Sequence, residues 1–111
     1  MVSVILYKNR KEEYIGFECN GHAGYADYGK DIVCSALSML IINTINSIEQ
    51  LTNTDMQVQA DEKSGTIKVE FQNPIEQDAI LLLDSMILGI QETKKQYGEK
   101  YVMISCKTIT S

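Results

Sequence analysis

The order of strand-like and helix-like segments predicts an α+β fold: a two-layer sandwich, β-β-α-β-β-α-β, with two helices on one face of a mainly antiparallel or mixed sheet. Three observations point there. Short β-branched or alternating runs come in two pairs. A long stretch with apolar residues every three or four positions follows each pair. Gly, Asn and Pro gather at the joints. A chain of 111 residues suffices for one core, and no linker or low-complexity tract divides it, so residues 1–111 read as a single domain.

Residues 2–7 (VSVILY) are apolar and β-branched, as a strand requires. After the charged turn Lys8 to Glu13, residues 14–20 (YIGFECN) alternate. That alternation puts Ile15, Phe17 and Cys19 on one face and Tyr14, Gly16 and Glu18 on the other. A glycine-rich loop leads into a helix from about Ile32 to Leu51, with Asp31 as its N-cap. Val33, Leu37, Leu40, Ile41, Thr44, Ile45 and Ile48 make its buried stripe. MQVQA (56–60) and TIKVEF (66–71) form a second hairpin around DEKSG. In the second helix, Asn73 is expected as N-cap, Pro74 at the first helical position and Glu76 in a capping box. Ile75, Ala79, Leu82, Leu83, Met86, Ile87 and Ile90 form its stripe, and Tyr97-Gly98 closes it. YVMISC (101–106) is the last strand. Met39 and Ile42 on the first helix, and Leu81 and Leu88 on the second, fall off the stripes. They fit either partial burial or a dimer surface.

The formal net charge is −5, which argues against nucleic acid as a direct partner. The apolar start at Met1 is short and precedes its basic residues, unlike a secretory signal. No segment is expected to span a membrane. Three cysteines without framework spacing suit a reducing compartment, and a cytoplasmic location is expected.

The stretch GHAGYADYGKDIVC (21–34) carries the chemistry. It holds the chain's single histidine, His22, and one cysteine, Cys34. If Cys34 lies in the first turn of the helix, unpartnered N–H groups and the helix dipole favour its thiolate and could receive an oxyanion. His22, twelve residues earlier, is a general base for that thiol if the loop folds back. Gly21, Gly24 and Gly29 give the loop its freedom. Tyr25 and Tyr28 could wall an apolar substrate side chain. Asp31 either caps the helix or orients His22. Ser38 is one turn beyond Cys34 and could bond a thiolate, a substrate or its own helix backbone. Cys19 and Cys106 read as structural. A zinc site of Cys19, His22, Cys34 and Cys106 lacks a Cys-x-x-Cys pair, so no metal or other cofactor is expected. Phosphatase chemistry fails because the only arginine, Arg10, is far upstream.

Gly21-His22-Ala23, Gly29, Lys30-Asp31-Ile32-Val33-Cys34 and Ser38 together are similar to the signature of the ribosomal-processing cysteine protease family, Prp. The resemblance extends over the whole chain in length and element order. It implies an endopeptidase that removes the N-terminal extension of large-subunit ribosomal protein number twenty-seven after an aromatic pair. It implies Cys34 as nucleophile, His22 as base, Asp31 and Ser38 in support, and a homodimer. An acidic protein suits such a basic substrate. Two alternatives come from other classes: a non-catalytic dimeric factor that binds a ribosomal protein in ribosome assembly, and a thiol hydrolase of a small acyl substrate.

Overall fold

The computed structural model describes residues 1–21, 28–61 and 63–109, with the backbone alone for residues 28–31. Its elements are β1 (Val2–Lys8), β2 (Tyr14–Asn20), α1 (Tyr28–Leu51), β3 (Met56–Asp61), β4 (Thr66–Phe71), α2 (Gln77–Tyr97) and β5 (Val102–Thr108). The strands form one mixed sheet in the order β3-β4-β2-β1-β5. All pairs are antiparallel except β1 with β5. The element order and the α+β class are those the sequence predicts.

Alternation along the strands sorts residues between two environments. Val2, Val4 and Leu6 of β1, Phe17 and Cys19 of β2, and Val69 of β4 are buried under the helices. Helix α1 contributes Val33, Leu37, Ile41, Ile45 and Ile48, and α2 contributes Ala79, Leu83, Met86 and Ile90. These are the expected stripes, with Leu40, Leu82 and Ile87 half-buried at their margins. Thr44 is buried without cost because its hydroxyl donates to the Leu40 carbonyl at 2.8 Å. The two helices touch at a small residue: a Cβ on Gly89 would stand 2.7 Å from Leu40 Cδ2.

Several expectations are corrected. The alternation of β2 breaks at its start. Tyr7 pairs with Gly16 but Lys8 pairs with Tyr14, so Ile15 is an extra, bulged residue. The bulge turns Tyr14 toward the helices, where its hydroxyl donates to Asp84 Oδ1 of α2 at 3.2 Å. Ile15 consequently leaves the face of Phe17 and Cys19 and lines a hollow with Tyr7 and Gly16. Helix α2 starts at Gln77, with Glu76 at the cap position and no side-chain cap bond. Asn73 and Pro74 thus belong to the preceding segment, and Asp78 serves the first turn by accepting from the Ala79 N–H at 2.7 Å. Gly98, at φ 104°, ends the helix as expected, its N–H donating to the Lys94 carbonyl at 2.9 Å. The segment Ile32–Leu51 is, against expectation, long and apolar enough to cross a membrane by length and composition. In the fold its apolar stripe packs on the sheet instead.

Gly16 faces away from the helices, and a Cβ there would drive into the Val69 carbonyl oxygen of the neighbouring strand. Backbone cannot yield as a side-chain tip can. Gly16→Ala is expected to cost about 1–3 kcal/mol, read as a lower urea midpoint with an unchanged slope.

Candidate active site

The site is built where β2 ends and α1 begins. Helix α1 starts at Tyr28, a turn before the expected Ile32. Two corrections follow. Asp31 lies within the first turn and is not the N-cap. Cys34 is the seventh residue of the helix, past the four N–H groups that a helix start leaves free. Those free N–H groups lie ahead of Asp31, so any oxyanion donor from this helix start is about a full turn before Cys34. Tyr28 and Gly29, expected in the loop, are helical. His22, Gly24 and Tyr25 lie outside the described residues. Gly21 is described: it follows Asn20 at the end of β2, and its N–H donates to the Gly65 carbonyl at 3.2 Å.

Cys34 faces the sheet and is only 5% exposed, between the buried Val33 and Leu37. Ser38, half-buried, is one turn further along the same face. Across the helix–sheet boundary Cys19 is 7% exposed. Burial, and secondarily the neighbouring Cys34, push its thiol up to about 11. Cys19 therefore stays protonated at neutral pH, as a structural thiol should. Cys106 departs from the structural role expected of it. It is exposed on the edge strand β5, with β1 between it and β2. Among the described residues no group of three or more His, Cys, Asp or Glu side chains could hold a metal ion.

The shifted Cys19 thiol makes a pH prediction. Its folded value lies above the ordinary 9.0. As pH rises, the unfolded chain releases this proton before the folded one does. The stabilising contribution is complete below pH 9.0 and lost as pH rises to about 11. Tyr14, raised by burial and by Asp84, acts in the same direction above pH 10.0. Thermal midpoints measured across this range should fall, and Cys19→Val should flatten the first part of the fall.

A hollow of about 390 Å³, lined by residues including Tyr7, Ile15, Gly16 and Ile109, contains none of the candidate catalytic residues. Strand alternation puts it on the sheet face opposite α1.

The geometry thus offers a cysteine on a core helix, beside the end of the strand that leads into the only histidine. The family model for cysteine protease Prp matches residues 1–102. The chain belongs to the Prp cysteine protease family. It is accordingly a cysteine protease, and the resemblance drawn from the GHA and DIVC motifs holds. Similar curated proteins include the ribosomal processing cysteine protease Prp of Staphylococcus aureus. That protein is 26% identical over 99 residues, covering 89% of this chain and 93% of the relative. The Prp of Bacillus subtilis is 24% identical over 103 residues, covering 89% and 92%. A crystal structure of the Staphylococcus aureus Prp in complex with a substrate peptide superposes with a TM-score of 0.88. It is 23% identical and covers 96% of this chain and 100% of that one. A Streptococcus mutans protein superposes with a TM-score of 0.85 at 27% identity, covering 98% and 99%. The Prp fold is therefore shared nearly end to end.

Sequence reasoning missed a set of polar contacts beside Gly21. The Thr66 hydroxyl donates to Asn20 Oδ1 at 2.9 Å, and Asn20 Nδ2 donates to Glu18 Oε2 at 2.8 Å. Asn20 and Thr66 are directly opposite in the β2–β4 pairing. Alternating polar residues at Glu18, Asn20, Thr66 and Lys68 were the available signal. It acquires meaning only once β2 and β4 are known to be neighbours.

Proposed function

We propose that this member of the Prp family is a ribosomal processing endopeptidase that removes the N-terminal extension of large-subunit ribosomal protein number twenty-seven after an aromatic pair, with Cys34 as nucleophile and His22 as base. The observation that carries this reading is the GHA-to-DIVC stretch in a chain of the Prp family, with Cys34 on the core helix. His22 takes the Cys34 proton, and the thiolate attacks the scissile carbonyl. The tetrahedral intermediate collapses to a thioester, and the leaving amine takes the proton from His22. Water then attacks the thioester as His22 accepts its proton. Collapse releases the carboxylate product, and the proton returns to the sulfur. Ser38 and Asp31 support this chemistry from the same helix. The net charge of −5 favours a basic substrate.

The extended ribosomal protein, incubated with the wild-type protein and with His22→Ala, tests the reading by intact mass. Loss of an N-terminal piece ending in the aromatic pair, with the wild type only, supports it. An uncut substrate carrying that pair refutes it. The protein is also proposed to be a homodimer. Exposed Met39 and Ile42 on α1, and Leu81 and Leu88 on α2, support this. A monomeric mass in sedimentation equilibrium at micromolar concentration would refute it.

A further inference from the structure

The end of β2 carries side-chain and backbone contacts beyond its strand pairing. Gly21 is pinned on two sides. Its N–H bonds the Gly65 carbonyl at 3.2 Å, and its Cα is so close to β1 that an added Cβ would stand 3.0 Å from Val2 Cγ2. The acceptor is itself fixed: Gly65 has φ 69°, and its N–H donates to the Asp61 carbonyl at 2.9 Å. Immediately before Gly21, Asn20 receives the Thr66 hydroxyl and donates to Glu18. Thr66 and Asn20 are 46 residues apart in sequence. Glu18, Asn20 and Thr66 alternate with Phe17, Cys19 and Ile67, which pack in the core under the helices. The tie is therefore on the sheet face away from α1. Its side chains cannot touch a substrate at Cys34 and can act there only through the backbone.

We propose that the Glu18–Asn20–Thr66 tie, with the Gly21–Gly65 bond, is a positioning device for hydrolysis: it fixes the point from which the chain enters His22. The inference rests on the reading of His22 as the general base. A base must be placed to within a fraction of an ångström of the proton it takes, and small displacements caused by distant changes can lower rates by about a hundredfold. A tie at the last paired residue before the base gives that control without occupying the substrate face. Asn20 is a positioning residue through its side chain, and Thr66 is its anchor on β4.

Thr66→Val is the decisive variant, because it removes the hydroxyl while keeping a β-branched side chain suited to the strand. Two readouts are taken: kcat and KM on the extended ribosomal protein, and the rate of Cys34 alkylation by iodoacetamide against pH, in a Cys106→Ser background. Thr66→Val should lower kcat about tenfold or more with KM little changed. It should also shift the pH profile of alkylation. Thr66→Ser, which restores the hydroxyl, should recover both. In a His22→Ala background, where cleavage is absent, Thr66→Val should leave the alkylation profile unchanged. A Thr66→Val protein with wild-type kcat, a loss confined to KM, or an equal shift of the alkylation profile in the His22→Ala background overturns the tie alone. A His22→Ala protein that cleaves like the wild type overturns the base reading and the tie with it. If no cleavage is seen with any variant, an alkylation profile unmoved by Thr66→Val overturns the tie.

Discussion

Cys34→Ala should abolish peptide hydrolysis and leave the fold standing. Loss of a nucleophile in a cysteine or serine protease lowers turnover by about a thousandfold or more. The structural effect is far smaller. The substitution removes one sulfur from a position 5% exposed, so the cavity left is slight and the stability loss is on the order of 1 kcal/mol. The contrast with the other two cysteines sharpens the test. Cys106→Ser changes an exposed edge residue and should alter neither activity nor stability. Cys19→Ala opens a space in the core and should lower the thermal midpoint while the chemistry continues. Substrate mass spectra and thermal melts of the three variants separate these outcomes. Continued cleavage by Cys34→Ala would remove the thiol from the mechanism. Cleavage lost together with the folded signal would instead make Cys34 a packing residue.

The sequence reveals best what depends on local periodicity. Val33, Leu37, Ile41, Ile45 and Ile48 recur at helical spacing, and all are buried. The β3–β4 hairpin follows from two alternating runs and a glycine, and Gly65 does adopt positive φ. The structure departs from the sequence reading where a single inserted residue or a choice of cap decides the outcome. Ile15 reads as a core residue until its pairing with β1 shows it to be bulged. Asp31 and Asn73 are good cap types, yet α1 starts at Tyr28 and α2 at Gln77. The cap preference is worth about 1 kcal/mol, which packing of the helix ends easily overrides. At the candidate site, the GHA and DIVC motifs were legible as a family signature. The Asn20–Thr66 tie was not, because it joins positions 46 residues apart whose adjacency is a property of sheet order.

Phe17→Ala should have the largest effect on stability. Phe17 is fully buried in the central strand β2, between β4 and β1. Its ring is 6.4 Å from that of Phe71, tilted by 55°. Such tilted pairs contribute beyond the area they bury. Truncation to alanine removes the ring, the pair and the filling between β2 and the helices. The expected cost is about 3–5 kcal/mol, a large part of the roughly 5–15 kcal/mol that holds a domain together. The thermal midpoint should fall by on the order of 10 °C or more. Phe17→Leu keeps most of the volume and should lose much less. Activity should follow the folded fraction: below its lowered midpoint, Phe17→Ala should retain a kcat per folded molecule close to that of the wild type. Phe17 and Asn20 share one strand, so the comparison separates two kinds of control. Phe17 determines how much protein is folded, whereas Asn20 and Thr66 determine how the folded molecule leads into His22. A Phe17→Ala protein with full stability would show that the core is held chiefly by α2 and β5. A kcat per folded molecule lowered as far as in Thr66→Val would show that β2 transmits any disturbance to the site, and the tie would lose its special standing.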